Sequence, residues 1–187
     1  MKKHTINSHL APYSIYKKRM TTINHAFASA IAPVDVYDPS KLDSALRALG
    51  QDPDSDLKCV YCGEPAETWD HLTALVRHGK LDGYGHQLGN LVPCCKRCNS
   101  RKGAKDWIAY LRQASDDSVF EQRRMKISSY LEQHAALVKP ELVAEKFPDD
   151  WKKYEDIKHK ILQLMKDADV IADRLQMEMS GRPHSRL

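Results

Sequence analysis

The chain lacks any apolar run approaching the ~18 residues that a membrane-spanning helix needs. It also lacks the apolar stretch that follows the charged start of a secretory leader: Met1-Lys2-Lys3 continues as His4-Thr5-Ile6-Asn7-Ser8-His9. A protein of the membrane or of the export route is therefore not expected, and a reducing cytoplasmic compartment is. Cysteine is scarce, five in 187 residues, too few for a disulfide framework in a chain of this length. There is no internal repeat and no low-complexity tract. Acid is missing from the first 34 residues, which hold Lys2, Lys3, Lys17, Lys18 and Arg19, and again from residues 96–105. What remains has a globular composition, 42% hydrophobic and 29% charged. The formal net charge is only +4, and four thiolates around one Zn²⁺ would lower it by two. Any case for nucleic acid must come from where the charges sit.

The pattern of apolar residues predicts three segments, 1–56, 57–113 and 114–187. In the first, Tyr16, Met20, Ile23, Phe27 and Ala30 step by four and three, which predicts an amphipathic helix ending near Ala32-Pro33. Asp38-Pro39 reads as an N-cap with proline at the first helical position, followed by a short helix over 40–49 stopped by Gly50. Helical periodicity then fades. Glycines punctuate 57–90, predicting turns, a few short strands and one long loop over 77–89. Helix resumes near Cys95 and is predicted to run to Gln113. Beyond Ala114 come a helix over 118–138, a break at Lys139-Pro140, a short piece, and a long last helix. Tyr154, Ile157, Ile161, Leu164, Ala168, Ile171 and Leu175 give that helix an a/d stripe. The stripe is expected to pack against the 118–138 helix, with a homodimer or a partner protein as the alternative. Residues 180–187 read as a loose basic tail.

All five cysteines lie between positions 59 and 98, four of them as Cys59-x-x-Cys62 and Cys95-x-x-Cys98. A two-residue gap turns both sulfurs of a pair toward one ion. Two such knuckles can supply four thiolates to a tetrahedral Zn²⁺. Cys94 cannot share the spacing with Cys98, so Cys95 is the expected ligand and Cys94 a small buried side chain. A closed four-cysteine site has no open position, so this zinc is expected to hold the fold and not to do chemistry. The alternatives are an unmetallated buried pair and a redox dithiol.

Asp70-His71 follows the first knuckle. Gly89-Asn90-Leu91-Val92-Pro93 precedes the second, and Cys98-Asn99-Ser100-Arg101-Lys102-Gly103 closes it. In this order around a four-cysteine clip, the motifs resemble the HNH nucleases of the ββα-metal fold, over about residues 57–105. The resemblance implies an α+β, mostly helical chain, with a small ββα-metal core flanked by N-terminal and C-terminal helices. It also implies that His71 is the general base and that Asp70 and Asn99 hold a catalytic Mg²⁺ or Mn²⁺. Asn90 would brace the loop that carries the histidine. The last position is histidine in many members, so this chain is of the H-N-N kind. Many members carry proline soon after the Asp-His pair, whereas Leu72-Thr73-Ala74 stands here. The implied activity is metal-dependent DNA cleavage leaving 5′-phosphate and 3′-hydroxyl ends, of a restriction, phage-defence or mobile-element type.

The residues fit that chemistry on their own terms. Phosphodiester hydrolysis needs a base for water, a cation on the phosphoryl oxygens and stabilisation of the leaving oxygen. A histidine can be neutral near pH 7 and take the proton. Asp70 and Asn99 offer hard oxygen ligands. Neighbours on a strand point opposite ways, so Asp70 and His71 facing one phosphate would require a bend. His86 is a candidate for phosphate contact or leaving-group assistance. Lys96, Arg97, Arg101, Lys102 and Lys105 form a basic run beside Asn99, suited to holding phosphates. Two other classes stay open: a non-catalytic zinc-containing nucleic-acid-binding module, and an interaction protein acting through its C-terminal helices.

Overall fold

The computed structural model describes residues 3–181; six of the eight residues of the expected basic tail lie outside them. The chain divides into two compact units, one made of residues 1–27 with 143–187 and the other of residues 28–142.

In the second unit, two antiparallel strands carry the motif residues. Strand β1, Thr68–His71, pairs with β4, Leu91–Cys94, in the register Thr68–Cys94, Trp69–Pro93, Asp70–Val92 and His71–Leu91. Helix α4, Lys96–Lys102, follows β4 directly and packs on β1. This is the ββα arrangement, and the sequence reading of a mostly helical α+β chain around it holds. Between the paired strands runs an excursion with its own hairpin, β2 (Val76–Arg77) and β3 (Lys80–Leu81). The two turn residues, His78 and Gly79, both have positive φ, the backbone that a two-residue hairpin turn requires. The sequence pattern shows only loop from 77, because four strand residues are too few to alternate visibly.

Three helices close the core. Helix α3, Pro39–Ala48, starts where Asp38 accepts from the Ser40 and Lys41 amides, as its Asp-Pro signature predicts. Helix α5, Trp107–Ala114, is separate from α4. The sequence predicts a single helix over 95–113, but Gly103 sits at φ +51 and ends α4, and the Asp106 carboxylate accepts from the Ala109 amide to start α5 anew. Helix α6 spans Asp117–His134. One hydrophobic core joins Ala45 of α3 and Leu49 just after it, Tyr61 and Val92, Leu111 of α5, and Phe120, Ile127 and Tyr130 of α6. A division at 56 and 114 cuts through this core. Cys59 and Cys94 share this core with residues of α3 and α6, which lie outside the 57–113 segment.

In the first unit, a four-residue helix α1, Asn7–Leu10, precedes α2, Ile15–Ile31. The last helix, α8, is Pro148–Met179, reached through α7, Pro140–Lys146. Helices α2 and α8 run antiparallel. At one end the Asp169 carboxylate accepts from the Ile15 and Tyr16 amides (2.6 and 3.0 Å) and from the Ser14 hydroxyl (2.7 Å). At the other, the Tyr154 hydroxyl donates to the Phe27 carbonyl (2.8 Å), and the two rings stack at 5.0 Å. The partner predicted for α8 is the 118–138 helix. The hydrogen bonds instead tie it to α2, and Ile157, Leu164, Ile171 and Leu175 of the a/d stripe stay exposed. Apolar spacing names a face, whereas the pairing here is set by polar groups at the helix ends. No helix among the described residues is long and apolar enough to cross a membrane.

Candidate active site

The metal clip comes first because it fixes α4 against the strands. The first knuckle is a tight turn in which the Gly63 amide donates to the Cys59 carbonyl (2.8 Å) and Gly63 takes φ +84. The second is the start of α4, where the Cys95 sulfur caps the helix by accepting from the Cys98 amide. The four sulfurs of Cys59, Cys62, Cys95 and Cys98 all lie within 4.8 Å of one another, with Cys62 and Cys95 3.7 Å apart. Thiolates bound at about 2.3 Å to one tetrahedral zinc stand roughly 3.8 Å apart, so the donor set fits. Burial pushes the Cys62 and Cys98 thiols up, while the neighbouring Cys94 thiol pulls Cys59 below the ordinary thiol range. Four thiolates held this close need a cation. Cys94 is buried, donates to the Cys95 carbonyl (3.3 Å) and stays outside the set of four, as its spacing predicts.

Strand β1 pairs with β4 as far as His71, its last residue. The chain bends directly after it, at Leu72 and Thr73, where the sequence reading requires a bend. Asp70 turns toward α4 and is 6% exposed. Its Oδ2 accepts from the Tyr61 hydroxyl (2.9 Å) and pairs with the Lys102 ammonium (3.1 Å). Burial raises its carboxyl above the ordinary range, against the opposing pull of Lys102 and Tyr61. Its Oδ1 accepts no hydrogen bond among the described residues. Because no fully buried polar side-chain atom lacks a partner, that oxygen opens toward solvent. Asn99 is arranged in the same way. Its Nδ2 donates to Thr68 Oγ1 (3.4 Å) and the Trp69 carbonyl (3.3 Å), which fixes the amide orientation and leaves Oδ1 turned away from both. Each of the two expected cation ligands thus has one atom anchored and one oxygen open, the way outer partners aim metal ligands.

Lys102 does not join the basic surface that its sequence neighbours predict. It is 1% exposed, and its ammonium donates to the His71 carbonyl (2.6 Å) as well as pairing with Asp70. The helical period places Lys102, four residues after Cys98, on the buried face of α4. Sequence reasoning does not single out Tyr61, which lies between the two cysteines of the first knuckle. A hydroxyl inside the first knuckle, close to an acid on the strand, was the available signal.

At the end of β1, His71 Nε2 lies 3.0 Å from His86 Nδ1, with the rings edge to face. Asn90 sets both positions. It is fully buried; its Oδ1 accepts from the Thr73 amide (2.9 Å), and its Nδ2 donates to the Thr73 (3.2 Å) and Gly85 (3.0 Å) carbonyls. One carboxamide therefore holds the exit of β1 and the approach to His86. The His86 amide also donates to the Pro33 carbonyl (2.9 Å), and the Pro33 ring fills the space that a Cβ on Gly85 would need.

Of the remaining basic residues, Lys96 is paired with Glu67 (3.1 Å). Arg97, Arg101 and Lys105 line a cleft of about 470 Å³ together with Tyr110 and Gln113, bordered by Cys62 and Cys98. By the helical period, Arg97 and Arg101 lie on the flank of α4 opposite Asn99, so the basic run divides between the two sides of the helix.

No curated protein and no solved structure matches the chain. Residues 59–105 match the family model described as HNH endonuclease. That match spans both knuckles, Asp70, His71, Asn90 and Asn99, and so takes in the four-cysteine clip and the β1–β4–α4 unit.

Proposed function

We propose that the chain is a metal-dependent endonuclease that hydrolyses phosphodiester bonds of DNA, leaving 5′-phosphate and 3′-hydroxyl ends. The observation that carries this reading is the His71 site: an imidazole at the end of β1, hydrogen-bonded to a second imidazole and held through a buried asparagine. A passive zinc module has no use for that arrangement.

His71 takes the proton of the attacking water. The His86 imidazole lies against its Nε2. His86 keeps the ring from turning, and Asn90 keeps both histidines at one distance. Asp70 Oδ1 and Asn99 Oδ1 would hold a Mg²⁺ or Mn²⁺, which supplies positive charge for the phosphoryl and leaving oxygens. Tyr61 and Lys102 orient the Asp70 carboxylate for that role. Arg97, Arg101 and Lys105 hold backbone phosphates and position the duplex without reading bases. The four-cysteine zinc keeps α4 and the first knuckle together. The reaction requires no 2′-hydroxyl, which is why DNA is the substrate named.

The test is cleavage of supercoiled plasmid by zinc-loaded wild type and His71→Ala, with Mg²⁺ or Mn²⁺ added. The variant should lose about 10²–10⁴ in rate and keep its affinity, since phosphate contacts dominate binding. Undiminished cleavage by His71→Ala would refute the mechanism. A wild type that binds DNA but leaves it intact with every divalent metal would make the chain a binding module.

A further inference from the structure

The first knuckle borders two clefts. Cys62 lines the one already described. Cys59, Val60 and Gly63 line another of about 170 Å³, walled by the end of α3 and by α6. Its charged lining residues are Lys58, Arg123 and Lys126, and no acid lines it. Arg123 is drawn over the knuckle: its Nη1 donates to the Tyr61 carbonyl (2.6 Å), and a Cβ on Gly63 would stand 2.9 Å from its Nη2. Lys126 is drawn in likewise, since a Cβ on Gly50 would come within 2.6 Å of its Nζ. Both glycines have positive φ, so the bare backbone that makes room for the two cations belongs to the turns themselves. Neither Lys58 nor Lys126 has a carboxylate partner among the described residues, whereas Arg124 on the same helix is paired with Glu121.

Three cations line this small cleft with no carboxylate among them, and apart from the Cys59 sulfur nothing in the lining balances them, so the cleft attracts an anion. The cleft has room for a phosphate group with a few waters, each of which takes roughly 30 Å³ in the liquid. We propose that it is a phosphate-binding site, and that the phosphate belongs to the nucleic-acid backbone away from the scissile bond. This rests on the nuclease reading above. Both lysines are exposed and the cleft is shallow, as a passing strand requires. The same knuckle also borders the Arg97–Arg101 cleft, so a strand crossing it meets cations on both sides.

The test uses the full chain, zinc-loaded, with Lys58→Gln and Lys126→Gln combined. Both side chains are at the surface, so metal content and melting temperature should not change. Binding to a duplex is measured over a series of salt concentrations. The logarithmic salt slope should become shallower by about two, one for each phosphate that a lysine no longer neutralises. Inorganic pyrophosphate, followed by thermal shift, is the second probe. A pyrophosphate response that depends on the two lysines, with the duplex slope unchanged, would assign the cleft to a free anion and overturn the nucleic-acid part. No change in either measurement would overturn the site altogether. A wild type that binds no nucleic acid would defeat the nuclease reading and this inference together, whereas an unchanged slope in the variant defeats only the inference.

Discussion

At the scale of single residues, Lys102 and Asp70 show how a motif position can be right while its environment is misjudged. Lysine in an acid-free run of cations reads as a phosphate contact. Here it is the inner member of a buried pair, and Tyr61 completes the set. Removing one partner of such a pair leaves an uncompensated charge inside the fold, at a cost of about 3–5 kcal/mol. Lys102→Met should therefore lower stability by that order in denaturant unfolding of the zinc-loaded protein. Adding Asp70→Asn should restore part of the loss. A Lys102→Met protein that unfolds like wild type but binds DNA more weakly would return the residue to the surface role its sequence context implied. Asn90 was legible as a brace only through the family resemblance; its inventory of one accepted and two donated bonds needed the fold, because Thr73 and Gly85 are brought together only by the excursion between them.

At the scale of elements, helix starts announced themselves in sequence and helix pairings did not. Asp38-Pro39 and Pro148 mark starts by short-range chemistry, which a sequence shows directly. The pairing of α2 with α8 depends on Asp169 meeting the first amides of α2, 154 residues away in the chain. Nothing local marks Asp169 as a cap. Those bonds hold its carboxyl below the ordinary aspartate range, the Ser14 hydroxyl being the largest cause. A depressed folded-state pKa means that the ionised form favours the fold. The contribution is therefore fully present above the ordinary value near 4 and is lost as pH falls through the lower folded value. Asp169→Asn should be less stable than wild type at neutral pH, with the gap closing below about pH 4. Helix content followed by circular dichroism across that range checks it; a gap that stays constant with pH would show that the charge has no part in the cap.

At the scale of the whole molecule, the four-cysteine site was the most legible feature, because ligand spacing is a property of the chain itself. What the spacing could not show is that the cysteines share one core with residues of α3 and α6, which lie on either side of the clip in sequence. A metal held there would tie together a core drawn from α3, the strands, α5 and α6. Structural zinc contributes on the order of 10–16 kcal/mol in small fingers. Cys59→Ser or Cys98→Ser should accordingly unfold the core, as should a strong chelator, while Cys94→Ser should cost far less. Zinc content and unfolding of the purified variants test this, and equal damage at Cys94 would overturn the ligand assignment.

The two units also differ in how the chain closes them. Residues 28–142 are continuous, so every contact of the zinc core is available once residue 142 has been made. The other unit needs residues from both ends of the sequence. During synthesis α2 emerges first and must wait, without the partner that caps it, until α8 is complete, while the domain between them can already bind metal and fold. Domains generally fold as units in order of emergence, and contacts between distant residues form late. The order of birth therefore sets an order of assembly: the core around the four cysteines takes shape before α2 and α8 pair.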